Sequence, residues 1–148
     1  MTESYRYAIA YFLLFSLLLL LSGVMLFEHK IGFGVEEIRT YYLGNSEQFA
    51  NAKTYDGLLK TVLPHIIAFG VLSMVLLHFL IFTKLRENSS IKKVIYLLFI
   101  SAFLEIFSPF FIISGADGFA YIKIASFVVF EALIVYIVWL LFRSIFYE

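Results

Sequence analysis

Cysteine is absent from this 148-residue chain. Its absence excludes disulfide exchange, thiolate zinc sites, Cys-ligated iron–sulfur clusters and haem attached covalently through C-x-x-C-H. Any redox chemistry then rests on a cofactor held without a covalent bond. Charge is scarce as well: 15% of the residues are Asp, Glu, Lys or Arg, and eleven basic residues balance eleven acidic ones. No basic surface points to nucleic acid. The glycine and catalytic signatures of soluble enzymes are also missing, with no P-loop, Rossmann pattern, H-E-x-x-H or G-x-S-x-G. Gly32-Phe33-Gly34 is a lone glycine pair and reads as a turn.

What the chain has instead is apolar length. Hydrophobic residues make up 62% and aromatics 20%, with a mean hydropathy of +0.94. A soluble domain of this size has too little interior to hide that much apolar surface. Four apolar stretches run over about 7–27, 58–83, 94–114 and 122–142, each long enough to cross a hydrocarbon core of about 30 Å as a helix. The first is longer than a signal-peptide core and lacks a following A-x-A pattern, so a retained helix is expected. The expected fold is all-α: one membrane domain over 1–148, built as a four-helix bundle with a structured outer loop at 28–57.

Lysine and arginine set the expected orientation. The turn at 84–93 packs four basic residues into ten, and Arg6 and Arg143 join it on the same side. The other side spreads Lys30, Arg39, Lys53, Lys60 and Lys123 among acids. The density near helix ends favours both termini inside. In the outer loop, Val35, Ile38 and Tyr42 recur at helical spacing and Gly44-Asn45 is a natural stop, which predicts a short interfacial helix lying over the bundle. A second turn is expected over Ser46–Ala50, and Asp56 is expected to cap the second membrane helix.

An ionisable side chain inside a membrane span is costly enough to be a functional candidate by default. The set comprises His65 and His78 in the second span, Glu105 in the third and Glu131 in the fourth, with His29 at the outer end of the first. Glu105 and Glu131 enter from opposite sides yet reach similar depth, near the midplane. Ser101, Ala102, Ser108 and Pro109 share the face of Glu105 and form a small, polar seam suited to close helix approach and interhelical hydrogen bonds. Pro109 also frees a backbone carbonyl one turn earlier, where a proton, cation or water is expected to be accepted.

Three readings follow, and no catalytic residue is assigned. The first is haem b for redox or electron transfer, with His29 and His65 on neighbouring helices as axial ligands. Size, helix number and histidines near helix ends resemble the small four-helix membrane cytochromes b, including the cytochrome b561 class. That class carries more helix histidines and commonly two haems. Here thirteen residues separate His65 from His78, about 140° around a helix, so one haem on the outer side is the reading. The second is copper or cation handling: Met25 precedes His29 and Met74 precedes His78 by four residues, and thioether plus imidazole suits copper(I). Glu105 and Glu131 at one depth, with His65 above and His78 below, as a proton relay or cation site of a transporter or larger complex, belong to the same class. The third is a non-catalytic membrane subunit or assembly factor in which the polar residues only hold helices together.

The segment Gly57-Leu58-Leu59-Lys60, leading into the helix that bears His65, resembles a pattern in small uncharacterised bacterial four-helix inner-membrane proteins. That resemblance implies a multi-pass protein of the cell inner membrane and brings no activity with it. The expected partners are the lipid bilayer, other membrane or redox subunits, or further copies of the chain in a homo-oligomer.

Overall fold

The computed structural model describes residues 3–46, 49–83 and 88–147. Five helices follow one another: α1 (Glu3–Lys30), α2 (Val35–Leu43), α3 (Tyr55–Leu80), α4 (Ser89–Ile113) and α5 (Phe119–Tyr147). All but α2 are long and apolar enough to cross a membrane. The long helices are apolar on every side, as expected of spans that face lipid and neighbours alike. Among the described residues there is no strand, only a single antiparallel bridge between Asn45 and Ala50.

Helix ends follow local chemistry. α3 begins at Tyr55 because the Thr54 hydroxyl accepts the Gly57 N–H at 3.1 Å from an extended backbone. Asp56, expected as the cap, lies instead in the first turn, where its charge faces the positive end of the helix dipole. Asn88 caps α4 by accepting the Ser90 N–H at 2.9 Å. At α2, the Gly34 N–H donates to the Glu37 carboxylate at 2.9 Å, and Gly44 ends the helix at φ +80°, its N–H donating to the Thr40 carbonyl. Of the expected turn at Ser46–Ala50, residues 47 and 48 lie outside the described residues, as do 84–87 of the basic turn at 84–93.

α5 is the hub. It packs along α4 most extensively and also touches α1, α2 and α3, while α2 rests on α4 and α5. Four passes place the α1 start and the α5 end on one face of the bundle, and α2 on the other. Two apolar clusters result. On the chain-end face, Leu13, Leu20, Leu76, Leu98, Phe130, Ile134 and Leu141 interlock. Beneath α2, Phe27, Ile38, Tyr42, Leu58, Ile112, Ala120 and Phe127 form the other, with Phe27 stacked on Phe127 at 4.1 Å. Lipid is as apolar as these side chains, so dispersion and close fit hold the clusters together rather than water exclusion.

Candidate functional site

The two clusters are separated by a polar layer. In chain order it falls after Leu20 and before Phe27 on α1, after Ala102 and before Ile112 on α4, and around Phe127 and Phe130 on α5. Gly23, Glu105 and Ser108 occupy the intervals on α1 and α4, while on α5 Lys123 and Ser126 come just before Phe127 and Glu131 just after Phe130. Glu105 stands eight residues from the α4 end and Glu131 twelve from the α5 start, about 12 Å and about 18 Å of helix respectively.

Its centre is an ion pair. Lys123, 5% exposed, extends from the first turns of α5 to Glu105, also 5% exposed. The ammonium donates to the Glu105 carboxylate and to the Glu105 backbone carbonyl at 2.8 Å. The second bond has a cause in the sequence. Residue 109 is the normal donor to the carbonyl of residue 105 in an α-helix, and Pro109 has no N–H. The freed carbonyl receives a lysine ammonium from the neighbouring helix. Two buried charges with hydrogen bonds to spare satisfy each other at a depth where either alone is very costly.

Glu131 lies on the α1 side of the same helix. A Cβ added at Gly23 would stand 3.5 Å from Glu131 Oε1, ordinary van der Waals contact, so the carboxyl lies against the α1 backbone at this level. Glu131 Oε2 is fully buried and has no hydrogen-bond partner among the described residues. Among the described residues, Lys123 bonds to Glu105 and none donates to Glu131 Oε2.

α2 closes this layer from above. Ile38 and Tyr42 are buried beneath it. Burial, and after it the Glu105 carboxylate and Tyr41, pushes the Tyr42 phenol well above its ordinary value, so it stays neutral. The chain beyond α2 is tied back by the paired bonds of Asn45 and Ala50 and by the Lys53 N–H donating to the Tyr42 carbonyl at 2.9 Å.

The seam serines stay on their own helices. The Ser101 hydroxyl donates to the Leu98 carbonyl at 2.9 Å, and those of Ser108 and Ser126 approach the Glu105 and Lys123 carbonyls at 3.4 and 3.2 Å. Their contribution is smallness, which lets α5 approach, more than bonds across the interface.

The histidines and methionines lie elsewhere. His29, His65, His78, Met25 and Met74 are all exposed on the bundle surface. His65 Nδ1 sits 2.7 Å from the Thr61 carbonyl, and its ring meets Phe69 edge-on. His78 meets Phe82 in the same way. His29 lines an open depression with Glu28, Lys30 and Glu37 between α1 and α2. Among the described residues no three histidine or acidic side chains gather to hold a metal.

Lys123 is the residue that sequence reasoning missed. It stands one residue inside the fourth apolar stretch and reads as an ordinary loop-side cation. The available signal was its spacing: Ser126, Phe127 and Phe130 follow at three, four and seven residues, which puts the lysine on the stripe that faces the bundle.

Spans, hub helix and internal charge pair define a multi-pass helical membrane protein in contact with the lipid bilayer. A family described as a transmembrane helical domain matches residues 32–148, and the chain belongs to that family. No curated protein and no solved structure matches it.

Proposed function

We propose that the protein handles a cation, the proton being the simplest, through the polar layer between α1, α4 and α5. Glu131 is the exchangeable carboxyl and the Lys123–Glu105 pair a fixed partner that shapes its field. The single observation behind this reading is the buried Oε2 of Glu131, without a hydrogen-bond partner among the described residues, inside a membrane-length helix. An unpaired carboxylate at such depth is relieved most cheaply by taking up a cation. The test is proton flux into proteoliposomes carrying a trapped pH-sensitive dye. The expected result is a flux lost in Glu131→Gln and retained in Ser22→Ala, on the exposed side of α1. Equal flux in wild type and Glu131→Gln, or none in either, would sink the proposal and leave a packing role.

A second reading keeps haem b. If His65 Nδ1–H donates to the Thr61 carbonyl, Nε2 carries the lone pair that an axial ligand requires. His29 and His65 are both exposed, so the haem would lie on the bundle surface, covered by a partner subunit or a second copy. A Soret band in the purified protein, lost in His65→Ala, supports this reading; a colourless protein from haem-replete cells removes it. Copper on Met25, His29, Met74 and His78 is read out by metal analysis of the same sample. In either reading the proposed location is the bacterial inner membrane, with both ends inside.

A further inference from the structure

One surface feature has no role in the polar layer. On the outside of α5, Tyr136, Trp139 and Arg143 follow one another at spacings of three and four, on a single helical face. The rings of Tyr136 and Trp139 are stacked at 6.0 Å and 26°, and the Arg143 guanidinium lies 5.8 Å over the Trp139 ring. All three are exposed, Tyr136 by 42% and Trp139 by 51%. Among the described residues no carboxylate lies within ion-pair reach of Arg143. The indole thus holds a guanidinium whose donors are left for something outside the bundle.

Depth indicates what that is. The 29 residues of α5 extend about 43 Å, against about 30 Å of hydrocarbon, so roughly 6 Å overhangs at each end of a centred helix. Arg143 is four residues from the α5 end, about 6 Å along the axis, which puts its backbone at the hydrocarbon edge, with the headgroup phosphates within reach of its long side chain. Trp139 sits one turn deeper, about 6 Å inside the hydrocarbon edge, at the level of the upper acyl chains. Lys92 and Lys93, exposed in the first turn of antiparallel α4, stand at the same level as Arg143.

We propose that Tyr136, Trp139 and Arg143 form a binding site for an anionic phospholipid. The guanidinium takes the phosphate with paired N–H donors, and the two rings line the path of the upper acyl chain. A zwitterionic choline lipid brings its own cation to the same place and is therefore the weaker ligand.

Trp139 is the sole tryptophan of the chain and reports on its own neighbours. The protein is reconstituted in phosphatidylcholine vesicles containing brominated phosphatidylcholine or brominated phosphatidylglycerol at equal mole fraction, and fluorescence quenching is read. Preferential quenching by the brominated phosphatidylglycerol is expected, corresponding to about fivefold tighter binding for one basic residue at an anionic surface. Arg143→Gln is expected to abolish the preference, while Lys93→Gln keeps most of it. Arg143 is exposed, so its replacement leaves the fold intact, which helicity by circular dichroism checks. Equal quenching by both lipids in wild type would overturn the proposal, and so would a preference unchanged in Arg143→Gln. Equal loss in Lys93→Gln also overturns it, since general surface charge then suffices.

Discussion

Pro109 withholds one N–H from α4, and the Glu105 carbonyl that would have accepted it receives Lys123 Nζ. The same ammonium pairs with the Glu105 carboxylate. Each group is thus the other's only means of being buried, which makes them strongly non-additive. Lys123→Met strands a carboxylate and Glu105→Gln strands an ammonium, and each is expected to cost about 3–5 kcal/mol. The double variant removes both charges and is expected to cost far less than the sum. Thermal or denaturant unfolding in detergent, arranged as a double-mutant cycle, gives the answer. Additive losses would mean that the pair does not act as a unit.

At the scale of elements, α2 is held over the polar layer by its own packing and by the turn that follows it. Gly44 and Gly115 both adopt left-handed backbone, at φ +80° and +93°, and both are strained by any side chain. Their surroundings differ. A Cβ on Gly44 would meet the Ala50 carbonyl oxygen and the Ala52 nitrogen at 2.6 Å, whereas one on Gly115 meets nothing within 4 Å. Gly115→Ala is therefore expected to cost only the backbone term, about 1 kcal/mol. Gly44→Ala is expected to displace the returning chain and loosen α2. Limited proteolysis within residues 44–54 of reconstituted protein checks this, with Gly44→Ala cut faster and Gly115→Ala cut like wild type. Equal cutting of the two variants would show that the close approach at Gly44 is unimportant.

For the whole molecule, four spans put both chain ends on one face and α2 on the other, whichever side of the membrane each occupies. The chain has no cysteine, so a single introduced cysteine is an unambiguous marker. Cysteines at Glu3 and Tyr147 are expected to react with an impermeant maleimide from the same side, and one at Glu36 from the opposite side. Labelling of all three from one side in sealed vesicles would refute the four-span arrangement. The same experiment in vesicles of known sidedness decides whether the basic residues near the helix ends lie inside.

Much of this architecture is legible in the amino-acid sequence. Four apolar runs of membrane length leave no soluble alternative, and the 3.6-residue spacing of Val35, Ile38 and Tyr42 with Gly44 behind it marks α2. A proline in the third span implies a free carbonyl, because that consequence is covalent and local. The identity of its donor is neither. Lys123 is eighteen residues away from Glu105, and which charge finds which depends on how α4 and α5 are rotated against one another. Nearly uniform hydrophobicity around a membrane helix leaves that rotation unwritten in any single span. Tertiary packing brought Lys123 to Glu105, left Glu131 Oε2 without a partner among the described residues, and put the histidines and methionines on the surface. Local composition determined the spans and their ends; helix rotation, set by close fit among many side chains at once, decided the site.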